Sequence, residues 1–215
     1  RVSPVGDASV LSVRNAIYDP SLLPGMPSEN TGEPATVAEL WADVERAYGA
    51  YFQGEFGVLA AELPGLLARC RATQIVTSHA EVAGAYAHTY QLAACLMVHT
   101  GRTDAALAGV EKAITLTQDD DDEWRAATMY GTYAWVMLHT ARYADAEKLA
   151  VQVADTITPA MSPKSNPKQL TAWGGLMMHA AVLAGGSGRR DDADAYLAAA
   201  RAGGAGAADR GRRPR

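Results

Sequence analysis

His99-Thr100-Gly101-Arg102 and His139-Thr140-Ala141-Arg142 are one turn written twice, 40 residues apart. Their surroundings match as well. A long apolar pattern of helical period leads into each copy, and an Ala-rich one follows: Arg102-Thr103-Asp104-Ala105-Ala106 answers Arg142-Tyr143-Ala144-Asp145-Ala146. Two weaker copies flank the pair. Gln53-Gly54-Glu55-Phe56 follows a helical pattern beginning near Thr36, and Gly186-Ser187-Gly188-Arg189-Arg190 follows one beginning near Pro167. The small residues at 54, 101, 141 and 188 are spaced longer than a minimal two-helix repeat of about 34 residues, as longer helices require. Each unit therefore reads as helix A, tight turn, helix B, over 36–72, 78–118, 121–157 and 166–201. A hairpin of this length cannot bury its apolar face alone, and stacked neighbours share one continuous core. The expected fold is all-α, an α-solenoid of about four helical hairpins whose A helices line a concave side.

Local patterns support each unit. Leu40, Val44, Ala47, Tyr48 and Tyr51 recur at helical spacing in the first helix of unit one, as do Ala106, Leu107, Val110, Ala113, Ile114 and Thr117 in the second helix of unit two. The small turn residues are expected to permit close approach, and Ala106, Ala146 and Ala193 to let helix B press onto helix A. Asp119 to Asp122 read as a capping run where a helix begins, and no EF-hand spacing follows them. Three prolines between Thr158 and Pro167 make that stretch a loop joining units three and four.

Outside the repeats, Ala8 to Tyr18 form one short helical pattern on Val10, Val13 and Ile17. The Pro/Gly/Ser/Glu-rich stretch that follows, up to Pro34, is a linker. Residues 1–35 are thus expected to be a short helix and linker arriving from a missing N-terminal module, 36–201 the repeat domain, and 202–215 a disordered tail.

The chain has 215 residues, 48% hydrophobic and 20% charged, ordinary for a globular protein with a sizeable core. No apolar run reaches the roughly 18 residues a membrane helix needs, and the start is not a signal peptide. A net charge of −5 argues against this piece gripping nucleic acid itself. Its one basic cluster, Arg210, Arg212, Arg213 and Arg215, lies in the Gly/Ala-rich tail and reads as a solvated end. Cys70 and Cys95 sit inside apolar helical patterns and form no disulfide framework, which fits a reducing, cytoplasmic setting.

Three features resemble the tetratricopeptide-like C-terminal domain of actinobacterial helix-turn-helix transcriptional regulators of the XRE class. They are the leading segment Val13-Arg14-Asn15-Ala16-Ile17-Tyr18-Asp19-Pro20 with its Pro-rich linker, Val37-Ala38-Glu39-Leu40-Trp41 with Tyr48-Gly49-Ala50-Tyr51 and Phe56, and the paired His-Thr-(Gly/Ala)-Arg turns. The likeness covers residues 8 to 201. It implies a tetratricopeptide-like fold and a regulatory half that senses a ligand, binds a partner or dimerises. DNA would be contacted only through a helix-turn-helix, and none is found in this chain.

Equivalent positions in the two central units lie on matching stripes: His88, Gln91, Cys95 and His99 in one, Thr128, Gly131, Trp135 and His139 in the other. Facing a concave groove, they would supply polar groups and an aromatic wall, with Trp41, Tyr48, Tyr51, Trp124 and Trp173 adding to it. Such an apolar recess with a few polar groups suits a small molecule. Aromatics at this spacing also serve as core. Tyr90, Met97, Tyr130, Tyr133 and Met137 on the opposite stripe read as core outright. Cys95 and His99 share a face as zinc ligands would, but a closed site lacks its fourth ligand and no HExxH or paired-Cys motif exists. No G-x-S-x-G, dinucleotide fingerprint or P-loop appears, and Gly185-Gly186-Ser187-Gly188 reads as a turn. The expected activity is therefore binding without catalysis, metal or cofactor. The occupant is a small molecule, or alternatively a peptide or protein, or a second copy in a homodimer, with no membrane.

Overall fold

The computed structural model describes residues 6–19, 32–118, 122–162 and 164–211. They form two compact units, Arg1–Asp120 and Asp121–Arg215. Every element among the described residues is helical. None of these helices is long and apolar enough to cross a membrane.

The first unit holds α1 (Asp7–Ile17), α2 (Val37–Phe52), α3 (Phe56–Val76), α4 (Ala80–His99) and α5 (Thr103–Thr115). A capping box starts α2: the Thr36 hydroxyl accepts from the Glu39 amide at 3.3 Å, while Glu39 Oε2 accepts from the Thr36 amide at 2.8 Å. The inward stripe of α2, Leu40, Val44 and Ala47, is fully buried, as are Leu59, Leu63 and Cys70 of α3. Each such leucine contributes roughly 1.5–3 kcal/mol by leaving water. Helix α4 is the hub. It packs on α2, α3, α5 and α1, and it is apolar on most of its circumference.

Helix α1 is part of this unit rather than a lead-in to it. Val10, Val13 and Ile17 are buried against α3, α4 and α5. The Lys112 ammonium donates to the Ile17 carbonyl at 2.6 Å, and Arg71 reaches Asp19 at 3.3 Å, so two cations meet the end of α1. Gly109 lies at this junction. A Cβ there would meet Ala94 Cβ at 3.4 Å and Ile17 Cδ1 at 3.5 Å.

The second unit holds α6 (Glu123–Leu138), α7 (Tyr143–Thr156), α8 (Pro167–Gly186) and α9 (Arg190–Gly211). Asp122 caps α6 by accepting from the amides of Trp124 and Arg125, each at 3.2 Å; Asp119 to Asp121 lie outside the described residues. Asn166 caps α8 at the Lys168 amide, 2.9 Å away. Here α8 is the hub, packing on α6, α7 and α9, just as α4 packs on both helices of the preceding hairpin in the first unit. The backbone of α9 stays helical to Gly211, past residue 201 where the sequence places the start of a tail. Alanine, the strongest helix former, is frequent there. Arg212, Arg213 and Arg215, and the linker over 20–31, lie outside the described residues.

The four turns share one hydrogen-bond pattern. Arg102 N–H donates to the Met97 carbonyl at 2.8 Å and Gly101 N–H to Val98 at 3.0 Å; the same pair of bonds closes the turns at 54, 141 and 188. This is the Schellman motif, which places one residue in the left-handed region. That residue is Gly54 at φ +72°, Gly101 at +72°, Ala141 at +58° and Gly188 at +78°. The expectation of close approach is corrected on this point. A Cβ at Gly101 or Gly188 would meet nothing within 4 Å, so backbone sign and not space selects the small residue. Ala106 and Ala146 are fully buried behind their turns.

Candidate ligand-binding site

The expected stripe residues of the first unit come together between α2 and α4. With Leu40, Val44 and Ala47 turned inward, α2 presents Trp41, Tyr48 and Phe52 on another face. The Tyr48 hydroxyl donates to Gln91 Oε1 at 2.6 Å and lies 2.9 Å from His88 Nδ1, which is itself 3.0 Å from Gln91 Oε1. Trp41 packs on the His88 ring at a 5.4 Å centroid distance, and Tyr48 meets it edge-on at 5.9 Å. About two turns beyond Gln91 along α4, the Tyr51 hydroxyl is 3.2 Å from His99 Nε2, and Phe56 stacks on His99 at 4.7 Å.

Burial grades across this face. Gln91 is buried, Trp41, Tyr48, His88 and Cys95 are half-buried, and His99 is exposed. Phe52 stands 79% exposed although it stacks on Tyr48 at 6.1 Å. The electrostatics are those of a neutral floor. Burial, helped by Cys95, pushes the Tyr48 and Tyr51 hydroxyls well above the ordinary tyrosine range. Burial likewise pushes the Cys95 thiol up to about 12. These groups stay protonated at neutral pH and act as hydrogen-bonding surface, not as bases or nucleophiles. Among the described residues no three His, Cys, Asp or Glu side chains gather as metal ligands.

The second unit arranges its candidates differently. His139 Nδ1 donates to the Trp135 carbonyl at 2.9 Å, and the two rings meet edge-on at 4.8 Å. The Thr128 hydroxyl is used within its own helix, donating to the Trp124 carbonyl at 2.8 Å. Trp173 does not serve as wall: it is 7% exposed and belongs to the core of α8 with Leu170, Leu176 and Met177. Gly131 faces His179, whose Nδ1 is buried without a hydrogen-bond partner among the described residues; burial lowers its pKa. Of the opposite stripe, Tyr90, Met97 and Met137 are buried, while Tyr130 and Tyr133 are half-buried.

Comparison with family models, curated proteins and solved structures found no match for this chain.

Two groups escaped the sequence reading. Phe52 follows Trp41 and Tyr48 on one helical stripe, so its place was recoverable from spacing alone. The other carries no local signal. Glu147 of α7, 6% exposed, is gripped by both terminal guanidinium nitrogens of Arg189, Nη1 at 2.8 Å, and accepts from the Tyr196 hydroxyl at 3.3 Å. Beside it lies a recess of about 430 Å³, bordered by Lys148, Gln152 and Ser187.

Proposed function

We propose that this chain is a tetratricopeptide-like repeat domain that binds a small amphipathic molecule on the α2/α4 face. In this reading it is the sensing half of an XRE-class transcriptional regulator in the cytoplasm. The observation that carries the binding reading is the Tyr48–His88–Gln91 cluster, held together by its own hydrogen bonds and half-open beside Trp41 and the exposed Phe52. A preset, mostly apolar surface with a few convergent polar groups is what small ligands select.

The repeat reading is supported by the four Schellman turns of one pattern and by the packing order common to both units. Two cysteines outside any disulfide suit a reducing compartment. In this reading the domain binds and does not turn over, with the buried Tyr48, Tyr51 and Cys95 serving as neutral surface. Occupancy would bias the helices toward one arrangement and so alter a helix-turn-helix on a joined or partner polypeptide.

Calorimetric titration of the chain against a metabolite library tests this. At least one compound is expected to bind saturably, with affinity lost in Phe52→Ala at unchanged helicity. Flat titrations across the library count against the reading.

A second reading, a protein-interaction or homodimerisation surface, is favoured by α8, where Met178 and Val182 are 57% and 54% exposed one turn apart. Light scattering that returns only monomer at high concentration removes the homodimer.

A further inference from the structure

We infer that the guest of the α2/α4 face carries a cationic head, an ammonium held against aromatic rings and countered by Glu45. The inference rests on the binding reading above and concerns what that face selects.

Trp41, Glu45, Tyr48 and Phe52 follow one another at i, i+4, i+7 and i+11, so they share a single stripe of α2, each about one turn from the next. Three of the four are aromatic, and the fourth is a carboxylate set between Trp41 and Tyr48. Tyr48 and Phe52 lie near-parallel, with 21° between their planes, and Phe52 gives most of its surface to solvent. Ring faces carry negative potential and attract cations.

The charges nearby are disposed to match. The arginines joining α2 to α3 are engaged elsewhere: Arg69 and Arg46 both meet Asp43, and Arg46 also reaches Glu62 at 3.6 Å. Glu45 is exposed, and no ion pair engages it among the described residues. An anionic guest would meet both the ring faces and this carboxylate with the wrong sign. An uncharged apolar guest would use the rings but partly desolvate Glu45 without return. A compact ammonium satisfies both, its methyl or methylene groups on the rings and its charge beside Glu45.

Three probes of similar size and different charge test this on the whole chain: choline, its uncharged carbon analogue dimethylbutanol, and the anion pivalate. Binding is followed by tryptophan fluorescence. Choline is expected to bind saturably and roughly tenfold tighter than dimethylbutanol, with pivalate weakest. Glu45→Gln, at an exposed position, is expected to cut choline affinity by roughly threefold to tenfold while dimethylbutanol binds no more weakly and helicity is unchanged. Equal affinity for choline and dimethylbutanol, or indifference of choline to Glu45→Gln, overturns the cationic preference. If dimethylbutanol then still binds and Phe52→Ala abolishes it, the binding face survives without its charge selectivity. Saturable binding by none of the three also overturns the inference, and the library titration then decides the binding face separately.

Discussion

The Tyr48 hydroxyl on α2 donates a 2.6 Å hydrogen bond to Gln91 on α4, joining the first helices of two successive hairpins through polar groups on a mostly apolar seam. The bond fixes the tyrosine ring against His88 and thereby shapes the floor of the candidate site.

Tyr48→Phe keeps the ring and removes this donor from a buried amide. The expected loss is about 1 kcal/mol of unfolding free energy. Urea denaturation of wild type and variant measures it, and an unchanged midpoint would show the bond to be energetically idle.

The turns make a paired prediction of opposite sign. Gly101→Ala places a Cβ at φ +72° in open space, so only backbone strain opposes it, about 1 kcal/mol. Ala141 already bears that strain at φ +58°, and Ala141→Gly relieves it. Extra freedom in the unfolded chain offsets part of the gain, leaving roughly 0.5 kcal/mol of stabilisation. Thermal melts of the two variants should move in opposite directions.

Removing the cation from the Glu147 pair leaves a buried carboxylate behind. Glu147 is 8% exposed at its side chain and Arg189 43%, so part of the interaction is screened by water. Arg189→Leu is expected to cost about 2 kcal/mol. The double variant Arg189→Leu/Glu147→Leu should recover much of that, because the stranded charge is gone. A double variant as unstable as the single one would refute this account.

Both cysteines tie stability to alkaline pH. Burial raises Cys70 to about 11 and Cys95 to about 12 from the ordinary 9.0. The unfolded chain therefore loses these protons first, and above pH 9 it binds fewer than the folded one. The thiol contribution is full below pH 9 and is lost as pH rises from there through the folded values. The urea midpoint should fall across this range in wild type and fall less in a Cys70→Ser/Cys95→Ser variant. Dithionitrobenzoate should label neither thiol quickly at pH 8 without denaturant.

Much of the local structure was legible in the sequence. The turns at Gly54, Gly101, Ala141 and Gly188 lie where the repeat pattern placed them, and Val10, Val13 and Ile17 do form the buried stripe of a short helix. The candidate site was legible only in part. Spacing placed His88, Gln91, Cys95 and His99 on one face of α4, but it could not say that Tyr48 and Tyr51 would meet them. Trp173 and Trp41 look alike in sequence, yet one is core and the other half-open. Arg189 and Glu147 are 42 residues apart, with nothing in either neighbourhood to announce the pair.

Sequence alone determined where the turns fall and where most helices begin, since capping side chains, apolar period and tolerance of a left-handed residue all act within a few residues of the chain; the ends of α3 at Val76 and α9 at Gly211 lie beyond the expected bounds. Tertiary structure decided what each face meets. His99 and His139 precede turns with the same hydrogen-bond pattern, but one lies against Tyr51 and Phe56 while the other folds back on Trp135. His99 meets rings that only packing brings near, whereas the partner of His139 lies four residues back along its own helix, where His99 has Cys95 instead.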